Sequence, residues 1–350
     1  VWRDIPWENK VIEPQFLMSL EDCTSNIDLG LKLPVMNIGS ATNARTMVGA
    51  VVRDFPCNHS LNPIRAMSRE VSILLASVLN SIVFDYNLRA RLGGLNISFF
   101  VLDETAVVSG YKQLTNSLLK YTASLSMISY LFARDWIYLK EKFFAENTIN
   151  KTLPSLWAVT TNERLRLRCI IDAVIAELYG LSWEDFAWIL QNSDQSQSNL
   201  NNSDFYRTLD PKGFWRVDKE KDPELRHTVL SLIAFHDLKR LGLETFLNLN
   251  DGEGWMLPDT LTLADYGLGH DDRAKQPQPV ASRLGDRYLP WQLEGTPEQS
   301  WEECERHAEN LRQLLGETPK AFNEESSDKG YQSEKQLKLL QEDNEQLDLF

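Results

Sequence analysis

Between positions 68 and 100 the chain reads SREVSILLASVLNSIVFDYNLRARLGGLNISFF, and the rest of the pattern is arranged about it. Leu74, Leu75, Val78, Leu79, Ile82 and Val83 fall at the three-and-four spacing of a helix with one buried face. Ser68 supplies an N-cap hydroxyl and Glu70 a negative charge in the first turn. Arg89 and Arg91 suit the carbonyl end, and Gly93 with Gly94 permits the positive φ that ends a helix. The spacing predicts one long helix up to the two glycines, then a strand or strand pair over 95–108.

Upstream, 31–52 alternates loosely in Val, Ile, Thr and Met, which predicts one or two strands around the polar turn SATNAR. Positions 1–28 read as irregular and 55–63 as a loop. The pattern is helical again over 113–144. Pro154 breaks it, and a domain boundary is expected near 150. Over 163–178, Leu167, Ile170, Ile171, Val174, Ile175 and Leu178 make one apolar face, while Arg164, Arg168 and Asp172 sit four residues apart for ion pairing. Gly180 stops that helix, and Ser182 with Asp185 forms a capping box for the next. A polar loop (191–204), a helix (222–241), a Gly- and Pro-rich stretch without regular structure (252–292) and a short amphipathic helix (300–315) complete the pattern. The expected fold class is α+β: a mixed strand–helix domain over 1–150, a mainly α-helical region over 151–315, and a disordered acidic tail over 316–350.

Composition changes this picture little. The chain has 350 residues, 43% apolar and 25% charged, as ordinary globular proteins do. No apolar run is long and charge-free enough for a membrane span. Cys23, Cys57, Cys169 and Cys304 are scattered, without the paired spacing of a zinc site or disulfide framework, and a reducing cytoplasm is the simplest setting. The chain opens on Val1, so a fragment or processed product is expected. Net charge is −14, but 1–150 sum to about neutral, so the acid excess lies beyond them. That argues against a protein that coats nucleic acid generally, and leaves room for a local basic face.

Catalytic signatures are missing. There is no GxGxxG after a strand, no phosphate-binding loop and no GxSxG elbow. His59, His227, His236, His270 and His307 do not fall at metal-ligand spacings, and no metal site is expected. Asp237 and Lys239 match only the tail of a metal-dependent nuclease motif. The loops DGEGW (251–255) and YGLGHDDR (266–273) suit either an ion or phosphate, or plain surface turns. The polar residues around the central stretch carry more. Arg45 lies in TNART, where a guanidinium can grip a phosphate or a guanine edge. Asn43 is the residue type that pairs with adenine edges, and Thr42 or Thr46 can donate to phosphate. Arg89, Arg91 and Asn96 flank the glycines. The alternative is that Arg45 and Arg89 are buried braces that tie strand to helix. Asn80, mid-helix, reads as a packing residue with its amide satisfied.

Three stretches occur in order: TNARTMVGAVV (42–52), LLASVLNSIVFDYNLRARLGGLNISFFVL (74–102) and ERLRLRCIIDAVIAELYGLSWEDFAWIL (163–190). Together they resemble the C-terminal half of large bacterial adenine-specific DNA methyltransferases, the family of fused type II restriction–modification enzymes and related phage-defence methylases. The resemblance covers roughly residues 30–190. It implies that the first two stretches belong to a target-recognition domain that contacts double-stranded DNA, and the third to a helical region that follows it. It also implies methyl transfer from S-adenosylmethionine to a flipped adenine in the parent enzyme. The Gly-rich cofactor turn and the Asn-Pro-Pro-Tyr-like motif of that chemistry are absent here. The chain alone is therefore expected to read DNA, without catalysis and without cofactor.

The last five residues, QLDLF, resemble the short peptide by which bacterial proteins hook onto the DNA polymerase sliding clamp. In that mode Gln346 enters a polar pocket while Leu347, Leu349 and Phe350 serve an apolar groove, and a disordered tether suits such binding. A plain amphipathic tail is the alternative. The rival to the DNA reading is accordingly a protein-interaction module that uses this tail. An independent hydrolase lacks any nucleophile–base or metal constellation.

Overall fold

The computed structural model describes residues 30–66, 68–108, 115–144, 151–190, 194–206, 213–296 and 298–299, with Ser19 and Glu21. The fold is α+β, mostly helical with small antiparallel sheets. Strand β1 (Leu31–Met36) is the middle of a three-stranded antiparallel sheet, between β2 (Val52–Arg53) and β3 (Leu61–Ile64). Leu31 pairs with Arg53, and Leu33 through Met36 pair with Ile64 through Leu61. With both edges paired and α1 (Arg69–Leu79) against it, β1 buries Leu33 and Val35 completely. β3 takes the end of the expected 55–63 loop.

The single long helix expected from Ser68 is two helices, α1 and α2 (Ile82–Arg91), bent by 71°. Ser68 caps α1 as expected, its Oγ accepting from Val71 N–H. The chain then stops at Asn80, and Ser81 opens α2 by accepting from Phe84 N–H at 3.2 Å. Periodicity does not see this break, because the apolar spacing continues across it while the polar Asn80–Ser81 pair turns the axis. The end of α2 also departs from expectation. Leu92 is its extended C-cap, and neither Gly93 nor Gly94 has a positive φ. The strand expected over 95–108 is a bridge between Ile38 and Asn96 followed by α3 (Phe99–Asp103), which Ser98 caps.

Helices α4 (Thr115–Ser126) and α5 (Ala133–Phe143) follow. Helix α6 (Thr161–Leu178) is the centre of the molecule, with α8 (His227–Leu241) packed along it and α2 and α4 also against it. Its expected single apolar face is an underestimate: Leu165, Cys169, Ala173 and Ala176 are buried too. The Ser182–Asp185 capping box opens α7 (Trp183–Ile189) as expected, with both reciprocal bonds at 3.1 Å. One hydrophobic cluster runs from Leu33 to Val280 and takes residues from both sides of position 150. The stretch 252–292, expected to be without regular structure, carries a two-stranded sheet, β4 (Thr260–Leu261) with β5 (Gln278–Pro279). Among the described residues no single helix is long and apolar enough to cross a membrane.

Charged side chains are packed into this core, and two knots of them bear on the site. At the start of α6, Glu163 accepts from Arg166 (2.5 and 2.8 Å) and from Arg287 (2.8 Å). Glu253 joins them, 2.6 Å from Lys151 Nζ, 3.5 Å from Lys120 Nζ and 3.2 Å from Arg287. Burial acts to raise the Glu253 pKa, but Lys120, Lys151 and Arg287 outweigh it and hold the group at about 2. The second knot lies beneath the candidate interface.

Candidate nucleic-acid interface

A polar loop links β1 to β2, and two side chains from the α1–α2 segment anchor it. Asn80, at the break between α1 and α2, accepts from Gly49 N–H and donates to Gly49 C=O, both at 3.0 Å. A third bond, to Ala76 C=O at 2.9 Å, completes its amide. Asn80 thus imitates a strand neighbour for the loop, and the expected satisfied amide is what the structure contains. Asp85, with no exposure at all, is the second anchor. Its carboxylate accepts from Arg45 Nε (2.9 Å), Arg89 Nε (2.6 Å), Thr46 N–H (3.0 Å) and Met47 N–H (3.3 Å). Arg45 also donates to Asn80 C=O at 2.5 Å, and Arg89 to Ala44 C=O at 3.1 Å. The Arg89 guanidinium lies 4.1 Å from the ring centroid of buried Phe214, a cation–π contact.

In these bonds both arginines act as braces. Arg89 is a buried brace with its guanidinium committed to Asp85 and Ala44, and Arg45 is a brace with about a quarter of its side chain exposed. Thr46 is buried, its hydroxyl donating to Ser40 C=O. Thr42, Asn43, Arg91 and Asn96 are exposed. The loop and the Asn96 segment are brought together: Gly39 N–H donates to Leu95 C=O (2.8 Å) and Ile97 N–H to Asn37 C=O (2.7 Å). Arg91 donates to Asn87 C=O within its own helix, and Arg216, missed in the sequence, donates to Thr42 C=O at 2.7 Å. Asp85 was also missed. It is the only acid between Glu70 and Asp103, four residues before Arg89 on an apolar helix, and that isolation is the signal that could have found it.

No known family model, curated protein or solved structure matches the chain.

The third stretch of the sequence resemblance is tied to the second by Asp172 of α6. It does not pair with Arg168 as its spacing suggested. Its Oδ1 accepts from Ile82 N–H at 2.8 Å, at the positive end of α2. Its Oδ2 lies 2.9 Å from Nε2 of buried His227, close enough for an ion pair but off the hydrogen-bonding direction. Burial lowers the His227 pKa against the opposing pull of Asp172, so the imidazole is neutral at pH 7.

The side chains and backbone of the other sequence candidates are engaged in local bonds. In DGEGW, Asn250 and Asp251 adopt left-handed backbone, Asn250 donates to Gly254 C=O, and Arg166 holds the carbonyls of Glu253 and Trp255. Asp237 accepts from Trp255 Nε1 at 2.9 Å, and Lys239 pairs with Glu177. In YGLGHDDR, Gly269 N–H donates to Asp194, Asp271 caps a short turn, and Arg273 reaches Glu224. Among the described residues no group of three or more His, Cys, Asp or Glu could hold a metal ion. Gln346, Leu347, Leu349 and Phe350 lie outside the described residues, as does the helix expected over 300–315.

Proposed function

We propose that the chain is the sequence-specific DNA-recognition portion of an S-adenosylmethionine-dependent adenine-specific DNA methyltransferase from a restriction–modification or phage-defence system, with the catalytic segment elsewhere in the parent protein. One observation carries the reading: the three stretches that resemble that family are bonded to one another. Asp85 and Asn80 of the second hold the Thr42–Asn43 loop of the first, and Asp172 of the third caps the helix that carries Asp85. A loop pinned from below can offer Thr42 and Asn43 to a duplex with little ordering cost on binding. Arg91 and Asn96 add a cation and an amide beside it. Arg45 and Arg89 support this surface from within rather than touching DNA. The cofactor belongs to the parent enzyme, and no residue of this chain is assigned to it.

The test in the parent gene is methylation itself. Expressed in a host lacking adenine methylation, it methylates one short motif throughout the genome, read by sequencing that detects methylated adenine. Absence of any such motif in cells that contain folded protein overturns the family reading. In the chain alone, Arg91→Ala reduces the slope of log affinity against log salt by about 1, uniformly over sequences. Asn43→Ala instead lowers discrimination between sites by about 1–3 kcal/mol and leaves the slope unchanged. Fluorescence anisotropy with labelled duplexes measures both, and identical curves for both variants and the parent chain remove these residues from the interface.

A second reading is a protein-interaction module, in which the acidic second half and its QLDLF tail bind a partner and the first half is a scaffold. On that reading the chain binds sliding clamp, and removal of 346–350 abolishes the binding.

A further inference from the structure

A narrow recess opens to solvent between α4, the start of α6 and the turn that carries Glu253. Its free volume is about 10 Å³, room for about one water-sized atom. The charged knot at the start of α6 forms its walls. Four cations, Lys120, Lys151, Arg166 and Arg287, meet two carboxylates, Glu163 and Glu253. Among the described residues no third carboxylate pairs with any of the four, so two positive charges are in excess. Both carboxylates are fully engaged. Each Glu163 oxygen accepts from Arg166 and Arg287, while Glu253 gives one oxygen to Lys120 and Lys151 and the other to Arg287.

Three donors that line this recess are uncommitted. Lys120 carries three N–H donors on a side chain only 15% exposed. Its acceptors, Gly252 C=O at 3.4 Å and Glu253 Oε1 at 3.5 Å, lie beyond the ordinary bond length of about 2.7–3.2 Å. Ser124, 6% exposed, has a hydroxyl with no hydrogen-bond partner among the described residues. The Tyr288 hydroxyl accepts from Arg287 at 3.2 Å and keeps its own proton to donate. Two titrations carry the sign of the charge excess. Glu253 is held at about 2 although burial raises it, and burial, with Lys151 and Arg166 nearby, lowers the Lys120 pKa against the pull of Glu253. An anion beside Lys120 relieves both the burial and the repulsion.

We propose that this recess binds the phosphate group of a small phosphate monoester. One terminal oxygen enters the recess, where Lys120 Nζ and the Ser124 and Tyr288 hydroxyls donate to it. The other oxygens stay at the mouth beside Lys151, whose side chain is 35% exposed. A monoester carries close to two negative charges above its second pKa of about 6, which matches the excess of two on the walls. A diester of the nucleic-acid backbone carries one charge per phosphate and leaves half of that excess unmet. The recess shares no residue with the exposed edge assigned to DNA and stands whether or not that edge binds a duplex.

The probe is methyl phosphate at about pH 8, where it is doubly charged, titrated calorimetrically into the full chain. Dimethyl phosphate and acetate, with one charge each, and a short DNA duplex are the comparison ligands. Methyl phosphate binds saturably at one site and raises the unfolding temperature, and the two singly charged ligands bind at least about tenfold more weakly. Lys120→Met keeps the alkyl stem, removes the charge and weakens methyl phosphate by about tenfold. Ser124→Ala removes a hydroxyl that has no bond to lose, so the ligand-free unfolding temperature is unchanged while methyl phosphate is again weakened by about tenfold. No methyl phosphate binding at millimolar concentration overturns the site. So does parent-like affinity in Lys120→Met or in Ser124→Ala. Dimethyl phosphate as tight as methyl phosphate overturns the doubly charged head, and a duplex that displaces methyl phosphate overturns the small monoester as the occupant.

Discussion

Asp85→Ala lowers the stability of the chain by about 3–5 kcal/mol, the effect of removing one partner from a buried charge network. The substitution strands two guanidinium groups, Arg45 and Arg89, and two backbone donors, Thr46 N–H and Met47 N–H, all of which the Asp85 carboxylate now accepts. Arg89 has only 6% of its side chain exposed and lies under the Phe214 ring at 4.1 Å. Asp85→Asn loses less, because a carboxamide oxygen still accepts from one or two of these donors. Urea unfolding at pH 7 measures both, and Arg91→Ala, which removes only an exposed side chain, stays within about 0.5 kcal/mol of the parent. A loss below about 1 kcal/mol in Asp85→Ala would falsify the brace as the device that holds the loop. If the DNA reading is right, the same variant at a temperature where it stays folded also loses site discrimination, since Thr42 and Asn43 are no longer held.

Glu253→Gln is the second large effect, about 2–4 kcal/mol at pH 7, reduced from the fully buried case because a fifth of the Glu253 side chain is exposed. It leaves Lys120, Lys151, Arg166 and Arg287 gathered around Glu163 alone. The pH dependence has a definite sign. Glu253 titrates at about 2 when folded, against an ordinary 4.5. A carboxylate whose folded pKa is depressed contributes stability above its unfolded value, and that contribution disappears as pH falls through the folded one. Wild type therefore loses stability faster than Glu253→Gln between about pH 5 and about pH 2.5, and the two converge near pH 2. Thermal unfolding followed across that range measures it. Parallel loss in the two proteins shows that Glu253 is not depressed. Glu163, held below the usual carboxylate range by Arg166 and Arg287 against its burial, adds to the acid sensitivity of both.

Local chemistry was legible at several bonds made between near neighbours in the chain. The Ser68 cap, the Ser182–Asp185 capping box and helix α6 depend on residues within a few positions of one another, and sequence spacing is enough to state them. The α+β class and the helical character of the second half follow from the same periodicities. The partition of Thr42 and Asn43 from Arg45 and Thr46 was not legible. Thr and Arg in one turn look alike until the opposing acid is known, and that acid stands 40 residues away on α2. The break at Asn80 was hidden for a related reason. Its amide is spent on Gly49, 31 residues earlier, so the helix ends where a strand needs a partner rather than where its own sequence weakens.

By itself, then, the sequence determined the Ser68 cap, the Ser182–Asp185 capping box, the long helix that became α6 and the near-neutral charge of the first half. Tertiary structure alone decided which polar side chains face water and which are braces, and gathered Lys120, Lys151, Arg166 and Arg287 around two carboxylates. The physical reason is common to both cases. A cap or an apolar stripe is stabilised by groups a few residues apart, whereas a buried charge is stabilised only by partners that folding delivers from distant parts of the chain.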